Sequence, residues 1–492
     1  MTPDQEALRF EGESWSYSAL SKACGRVAAM LAGLGVERGD RIAYLGFNSA
    51  AQLMLLIAAS RLGVAVTPLN WRLAPPEHAY MLADAGVKAL FCDPDFASGI
   101  EPADGRRDLL LKGTRDGWLS WDALIAKAGA PPPVAGEADD LFLIVYTSGT
   151  TGRPKGAALT QGAIHWNARN SLMGHGLAPS DRVLTLLPLF HVGAINIQTL
   201  PAFMAGATVL LHPKADPIRI FEAFADFQPT LTVVVPAVMR ALIEHPGWAG
   251  ADLSSLRAVT TGSSIVPLPL IEAFHARGAP VIQVYGSTET APIATIQTPE
   301  TAFDTVGTVG KEAAHCRIRV VDPEGRDLPD EVPGELLVAG PNILDRYWNN
   351  SAATKDALRD GWYHSGDIGY RRPDGNFVVV DRKKDIVISG GENIYPAEIE
   401  AELERHADIA EVAVVGQPDA KWGETPVAFV VARASLTEAE VLARLDGRLA
   451  RFKWPRAVRF VEALPRNAMG KIQKAELRAR LLRSEGPSPQ GT

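Results

Sequence analysis

An α/β fold is predicted: a large N-terminal domain of parallel-rich sheets packed with helices, and a small α+β C-terminal domain. Three observations predict it. The chain has 492 residues, too many for a single hydrophobic core. Short apolar runs alternate with helical patterns, as in RIAYLGF before Ala50–Leu62, KALFCD after a helix, and ATVLLH before DPIRIFEAFADF; that rhythm of βα units builds parallel sheets. Lastly, the strand FVVVD stops at a charged knot, Asp381-Arg-Lys-Lys-Asp385. Roughly a hundred residues of mixed strands and helices follow, an ordinary domain size.

Each element of that second unit has a local reason. A helix opens near Pro396, with proline in its first turn. Strands EVAVVG and PVAFVVA follow, then a helix through TEAEVLARLDGRLARF, strand AVRFVEAL and helix KAELRARLL. The expected boundaries are an N-terminal domain at 1–380, a hinge at 381–385, a C-terminal domain at 386–485 and a disordered tail at 486–492. Ala130–Asp140 is a proline-rich connector. The chain shows no internal repeat.

Composition excludes several classes. Apolar residues make up 47% and charged residues 22%, and the net charge is −8. A nucleic-acid binder would show a basic face instead. The three cysteines, Cys24, Cys92 and Cys316, are far apart and form no CxxC, so a reducing compartment is expected. MTPDQEALRF lacks the apolar core of a signal peptide. AQLMLLIAASRLGVAV is broken by Arg61 and too short to span a bilayer. The cytoplasm is the expected location.

The stretch Tyr146-Thr-Ser-Gly-Thr-Thr-Gly-Arg-Pro-Lys-Gly156 is rich in glycine and hydroxyls and carries one lysine. A Walker loop reads GxxxxGK[ST] and opens a helix. Here Lys155 is followed by Gly156, and Pro154 disfavours a helical residue before it. The helix is expected later, near Thr160, after the strand AALT. The loop therefore joins two strands. By itself it fits either a surface hairpin or a phosphate grip.

Four further stretches point the same way: YGSTE (Tyr285–Glu289), GWYHSGDIG around Asp367, DRKKD, and PRNAMGK ending at Lys471. In order and spacing these motifs resemble the adenylate-forming superfamily of acyl-CoA synthetases, luciferases and peptide-synthetase adenylation domains, over about residues 10–482. The resemblance implies a two-step reaction. A carboxylate attacks the α-phosphate of ATP to give acyl-AMP and pyrophosphate; the thiol of coenzyme A then gives the thioester and AMP. ATP, Mg²⁺ and CoA are the implied co-substrates and metal.

The resemblance also assigns roles. Thr147, Ser148, Gly149, Thr150, Thr151, Gly152 and Lys155 would cradle the β- and γ-phosphates. Glu289, with Thr150, would meet Mg²⁺, and Thr288 the α-phosphate. Tyr285 would pack on adenine, with Gly262, Ser263 and Ser264 opposite and Gly286 and Ser287 alongside. Asp367 would accept from both ribose hydroxyls, and Arg382 would reach the same ribose. Lys471 would bring its charge to the carboxylate and α-phosphate during adenylation. The small C-terminal domain is implied to be mobile, with Lys384 as its hinge. After rotation Gly390 and Gly391 would border the pantetheine arm, and Trp422, Phe452 and Lys453 would meet the CoA nucleotide. Arg448, Arg451, Arg456 and Arg459 complete a basic cluster that is either a solvated face or a phosphate contact. Met469 stands where the family more often has Thr or Ser.

For the acid, the resemblance places the pocket near PLFHVG and YGSTE: His191, Val192, Gly193, Asn196, Ser263, Gly286, Ser287 and Ala291. His191 is a pocket wall or gate, or a buried, satisfied histidine. Acetyl-CoA synthetases usually carry Trp where this chain has Gly286, which is expected to leave the pocket open. Malonate-activating relatives carry Arg where this chain has Val284; a second carboxylate would lack a buried partner. Amino-acid-activating domains place Asp where His191 stands. A hydrophobic monocarboxylate remains. A medium- or long-chain fatty acid is the leading expectation, from overall likeness to bacterial fatty-acyl-CoA ligases. An aromatic acid is the first alternative, and delivery of the acyl group to a carrier protein the second. A non-catalytic nucleotide-binding relative would be free to lose one of Lys471, Glu289 and Asp367; all three are present. No sequence feature decides on a homodimer or on peripheral membrane contact.

Overall fold

The computed structural model describes residues 3–147, 154–262, 266–389, 392–419, 422–467 and 470–484. Ser148 to Gly152, Ser263, Ser264, Gly390, Gly391 and the tail at 486–492 lie outside these. The described residues fall into two compact units. One takes in 3–262, 273–318 and 337–364, the other 266–272, 319–336 and 365–484. The Asp381–Asp385 knot lies within the second.

The first unit holds two large sheets. In the eight-stranded sheet, strands Ala65–Leu69, Arg41–Leu45, Ala89–Cys92, Arg107–Leu110 and Leu119–Ser120 run parallel in that order. They read as near-continuous apolar runs, as strands covered on both faces do. Strand β1 (Leu141–Thr147) adds in parallel beside Ala65–Leu69, and β2 (Lys155–Thr160) folds back antiparallel on β1, closing on the pair Thr147↔Lys155. Helix α1 (Gln161–His175) follows directly. The Thr160 hydroxyl accepts from the Ala163 N–H as its N-cap, and Gly176 in the left-handed region (φ 58°) ends it.

The second large sheet has nine strands, whose central members, Leu231–Val234, Ala258–Thr261 and β3 (Val281–Tyr285), are parallel. A short strand, β4 (Arg346–Tyr347), then returns to the first sheet and pairs antiparallel with β2, Tyr347 opposite Ala157. No helix among the described residues is long and apolar enough to cross a membrane. All three cysteines are buried and unbridged.

Strand β5 (Trp362–Arg371), most of which lies in the second unit, pairs there antiparallel with β6 (Phe377–Arg382), with Asp367 opposite Arg382. A five-stranded sheet follows, in which the central strand Gly423–Ala432 forms a long antiparallel hairpin with the edge strand Ile409–Asp419. Helix α2 (Pro396–Leu403) carries its proline in the first turn, as expected. The helix expected through TEAEVLARLDGRLARF is only Glu438–Ala443. Gly447 takes a left-handed φ of 68°, which an α-helix cannot contain, so the chain turns there.

Candidate active site

In the first unit, the glycine-rich loop springs from a braced frame. At its entry, the Tyr146 hydroxyl donates to the Asp84 carboxylate at 2.5 Å. Burial, first, and that carboxylate hold the phenol well above its usual pKa, so it stays protonated as a donor. At the exit, the Trp348 N–H donates to the Gly156 carbonyl at 2.7 Å, while the Trp348 indole and the Asn349 amide both donate to the Asp84 carbonyl. Thr147 and Lys155, the two described ends of the loop, face each other across the ladder.

The YGSTE segment leaves β3 and turns at once into the 3-10 turn Thr288–Thr290. Its Ser287 N–H donates to the Thr290 hydroxyl at 2.9 Å, and the Leu344 N–H donates to the Glu289 carbonyl at 2.8 Å. Glu289 is 8% exposed. One carboxylate oxygen accepts from the Tyr347 hydroxyl at 2.7 Å, and the Tyr347 ring lies 5.6 Å from the Lys155 ammonium. Tyr285, Gly286, Ser287, Thr288, Glu289, Thr147 and Lys155 thus belong to one unit, and Glu289 and Lys155 meet on one tyrosine. Gly262 ends the neighbouring strand; a side chain there would come within 2.6 Å of the Val284 carbonyl oxygen.

Among the described residues no group of three or more His, Cys, Asp or Glu side chains could hold a metal. A lone, largely buried carboxylate beside a phosphate loop nevertheless fits Mg²⁺. That ion keeps its waters and is usually bound through one or two carboxylates plus substrate phosphates.

Several expected acyl-pocket residues are held firmly by their surroundings. Asn196 is fully buried. Its amide nitrogen donates to the carbonyls of Ala291 (2.8 Å) and Ile164 (3.3 Å), so it ties the π-helical turn Ile195–Thr199 to the YGSTE segment and is a strut. Ala291 is also fully buried. At Gly286 an added Cβ would sit 1.9 Å from the Pro292 carbonyl oxygen. The glycine is required by the close approach of backbone. Val192 is buried, while His191 and Gly193 are partly exposed, and the His191 ring lies 4.4 Å from that of Phe190. A cavity of about 790 Å³ is lined by residues of the segments Pro75–Val87 and Ser98–Arg106, none of them among these candidates. A second, about 10 Å³, borders Ala194, Gln198 and Val233, room for about one water.

In the second unit, Asp367 and Arg382 pair with each other, Nε to Oδ1 at 2.6 Å, with the carboxylate 8% exposed. Lys471 is exposed on a turn closed by Asn467, whose side chain accepts from the Lys471 N–H and whose N–H donates to the Lys471 carbonyl, both at 2.9 Å. Lys384 is exposed between buried Asp381 and Asp385. Trp422 and Phe452 are 38% and 52% exposed, and the Arg456 guanidinium lies 5.7 Å from the Trp422 ring. Lys453 is not a loose cation, because Glu398 holds its ammonium at 2.7 Å; Arg448 likewise faces Glu402 at 3.6 Å.

Comparison with known proteins fits this layout. Residues 1–348 match the family model of AMP-binding enzymes, and residues 398–471 match the AMP-binding enzyme C-terminal domain. The chain belongs to this adenylate-forming family and is an AMP-forming acid–CoA ligase. It is 48% identical over 490 residues to an indoleacetate–CoA ligase of Aromatoleum aromaticum, covering 97% of this chain and 95% of that protein. It is 40% identical over 483 residues to a feruloyl-CoA synthase of an Amycolatopsis species, covering 98% and 96%. The fold matches o-succinylbenzoate CoA synthetase (MenE) of Bacillus subtilis, solved with its acyl-adenylate intermediate OSB-AMP, at a TM-score of 0.87 and 31% identity over 100% of this chain and 97% of that one. The same synthetase has been solved with ATP and a magnesium ion, again at a TM-score of 0.87 and 31% identity, over 98% and 97%.

Proposed function

We propose that this ligase activates an aromatic monocarboxylic acid, an arylacetate or arylpropenoate, and passes the acyl group to CoA. The observation that carries the reading is full-length likeness to ligases named for indoleacetate and ferulate. The fatty acid expected from overall sequence likeness gives way to it.

In the first half-reaction a carboxylate oxygen of the acid forms a bond to the α-phosphorus, and the bond to the bridging oxygen breaks, releasing pyrophosphate. No proton leaves the acid, so no general base is needed. What is needed is charge compensation, because two anions meet. Thr147 and Lys155 anchor the loop that would hold the β- and γ-phosphates, and Thr288 would donate to the α-phosphate. Glu289 would hold Mg²⁺, which when bound neutralises charge on the phosphate oxygens. Asp367, steered by Arg382, would accept from the ribose hydroxyls. Lys471 would bridge the acid and the α-phosphate.

In the second half the CoA sulfur attacks the acyl carbon and AMP departs with the bonding electrons; the thiol proton goes to solvent. The 381–385 knot would be the hinge that exchanges Lys471 for the Gly390–Gly391 face, with Trp422 and Phe452 as stacking surfaces for the CoA nucleotide.

The test is pyrophosphate release with ATP and Mg²⁺ over a panel of acids (indoleacetate, ferulate, benzoate, octanoate, palmitate), with and without CoA. Sustained release with the aryl acids and CoA, and little with the alkyl acids, is expected. Preference for palmitate would restore the fatty-acid reading. A single turnover that CoA does not relieve would move the acceptor to a carrier protein.

A further inference from the structure

We propose that Tyr347 is a positioning residue that holds the Glu289 carboxylate and the Lys155 ammonium as one device at the metal–phosphate end of ATP. The proposal rests on the role given to Glu289 above. Tyr347 belongs to none of the motifs read from the sequence. It enters the site because β4 pairs with β2, the strand that begins at Lys155, with Tyr347 opposite Ala157.

Two backbone contacts place the residue and a third fixes its ring. The Tyr347 N–H donates to the Thr354 hydroxyl at 3.0 Å, the following Trp348 N–H donates to the Gly156 carbonyl, and the phenol donates to Glu289 Oε1 at 2.7 Å. A hydrogen bond to an ionised acceptor is roughly twice as strong as a neutral one. It is also directional. It fixes the carboxylate about its last torsion and occupies one oxygen. Among the described residues nothing donates to the other oxygen, which is left to a cation.

The ring face serves the second partner. At 5.6 Å from the ring centroid, the Lys155 ammonium is within the range of a cation–π attraction. No ion pair joins Lys155 to Glu289 among the described residues. That separation matters, because a lysine paired directly to Glu289 would compete with the metal for the same charge. Tyr347 instead keeps the cation near the phosphates and the carboxylate ready for the metal. Partners that orient a metal-binding carboxylate typically account for about 10- to 100-fold in metal affinity.

The experiment compares wild type with Tyr347→Phe, Tyr347→Leu and Glu289→Gln. The first readout is Mn²⁺ binding in the presence of a non-hydrolysable ATP analogue, followed by electron paramagnetic resonance. Tyr347→Phe keeps the ring and removes only the hydroxyl; it should weaken Mn²⁺ by about 10- to 100-fold with little change in the KM for the acid. Tyr347→Leu also removes the ring and should raise the KM for ATP further. Both should convert synthetic acyl-AMP to thioester at the wild-type rate, a readout that general misfolding would not spare. Suppose Glu289→Gln weakens Mn²⁺ and Tyr347→Phe does not. The positioning role is then overturned while the metal role of Glu289 stands. If Glu289→Gln itself binds Mn²⁺ normally, the metal role falls, and the positioning role with it.

Discussion

At the scale of single residues, the first unit is held by buried polar groups that the motifs do not announce. His175 is fully buried. Its Nδ1 donates to the Ser171 carbonyl at 3.0 Å, and its Nε2 accepts from the Thr260 hydroxyl at 3.0 Å. Thr260 in turn accepts from the Gln198 amide at 2.9 Å, so the imidazole is neutral in the fold. Burial, first, lowers its pKa from 6.5 to about 4, with Arg257 lowering it and Asp181 raising it. The folded value lies below the unfolded one, so the unfolded chain takes up the proton first as pH falls. Stability that is complete above pH 6.5 is therefore lost down to about pH 4, on the order of 3 kcal/mol from this residue. Urea midpoints of wild type and His175→Asn across that window should converge as the pH drops, because only the wild type has this proton to gain. Parallel curves would mean that His175 is already charged or solvated in the fold. His175 and Tyr347 share one reason for going unread in the sequence: a lone polar or aromatic residue carries no spacing signal, and its role comes from partners tens of residues away. At Gly286 the structure adds a second reason for glycine, the close approach of the Pro292 carbonyl.

At the scale of elements, the strand–loop–strand reading of the glycine-rich loop holds because its signals are local. Pro154 denies a helix before Lys155, and Thr160 is an N-cap. The helix after TEAEV is shorter than the sequence predicts because the left-handed Gly447 (φ 68°) lies within the predicted stretch. The proposed hinge also shows element-level design. The Asp381 carboxylate accepts from the Ala397 N–H at the start of α2, at 2.9 Å. Arg478 holds the Asp385 carboxylate at 2.8 Å and reaches the Lys384 carbonyl at 3.4 Å. Both flanks are pinned by side chains, and Lys384 is the exposed residue before the second pin. A domain that turns here needs freedom in the φ and ψ of Lys384. Proline fixes its own φ and restricts the residue before it. Lys384→Pro should leave acid-dependent pyrophosphate release in a first turnover near wild type and slow thioester formation by more than about tenfold, each ~1.4 kcal/mol added to the barrier being a factor of ten. Quenched-flow measurement of the two half-reactions decides it; equal slowing of both would place the pivot elsewhere.

At the scale of the whole molecule, a chain of net charge −8 is asked to bind three anions: ATP, a carboxylate and CoA. The overall field opposes all of them, so affinity and rate must come from a few cations placed locally. Lys155 is built into the first unit, where a strand ladder and an aromatic ring hold it. Lys471 stands on a turn of the second unit, closed by Asn467. That division suits a reaction in two halves. A cation kept at the α-phosphate would speed the loss of pyrophosphate, but it would also occupy the ground from which the CoA thiol must approach the acyl carbon. Placing it on a separate compact unit lets the charge be used once and withdrawn. In the sequence, the motif order carries this expectation. The acid was not legible there, because the motifs carry the phosphate chemistry that all such ligases share and not the choice among acids. If the division of labour is right, Lys471→Ala should slow pyrophosphate release by about 10²- to 10³-fold, the cost of removing one transition-state donor. Synthetic acyl-AMP should still yield thioester at the wild-type rate, since that half never uses the lysine. Single-turnover assays of the two halves on one preparation test this directly. Parallel loss of both would mean that Lys471 supports the fold or binds nucleotide throughout, and the two-unit partition of charge would have to be abandoned.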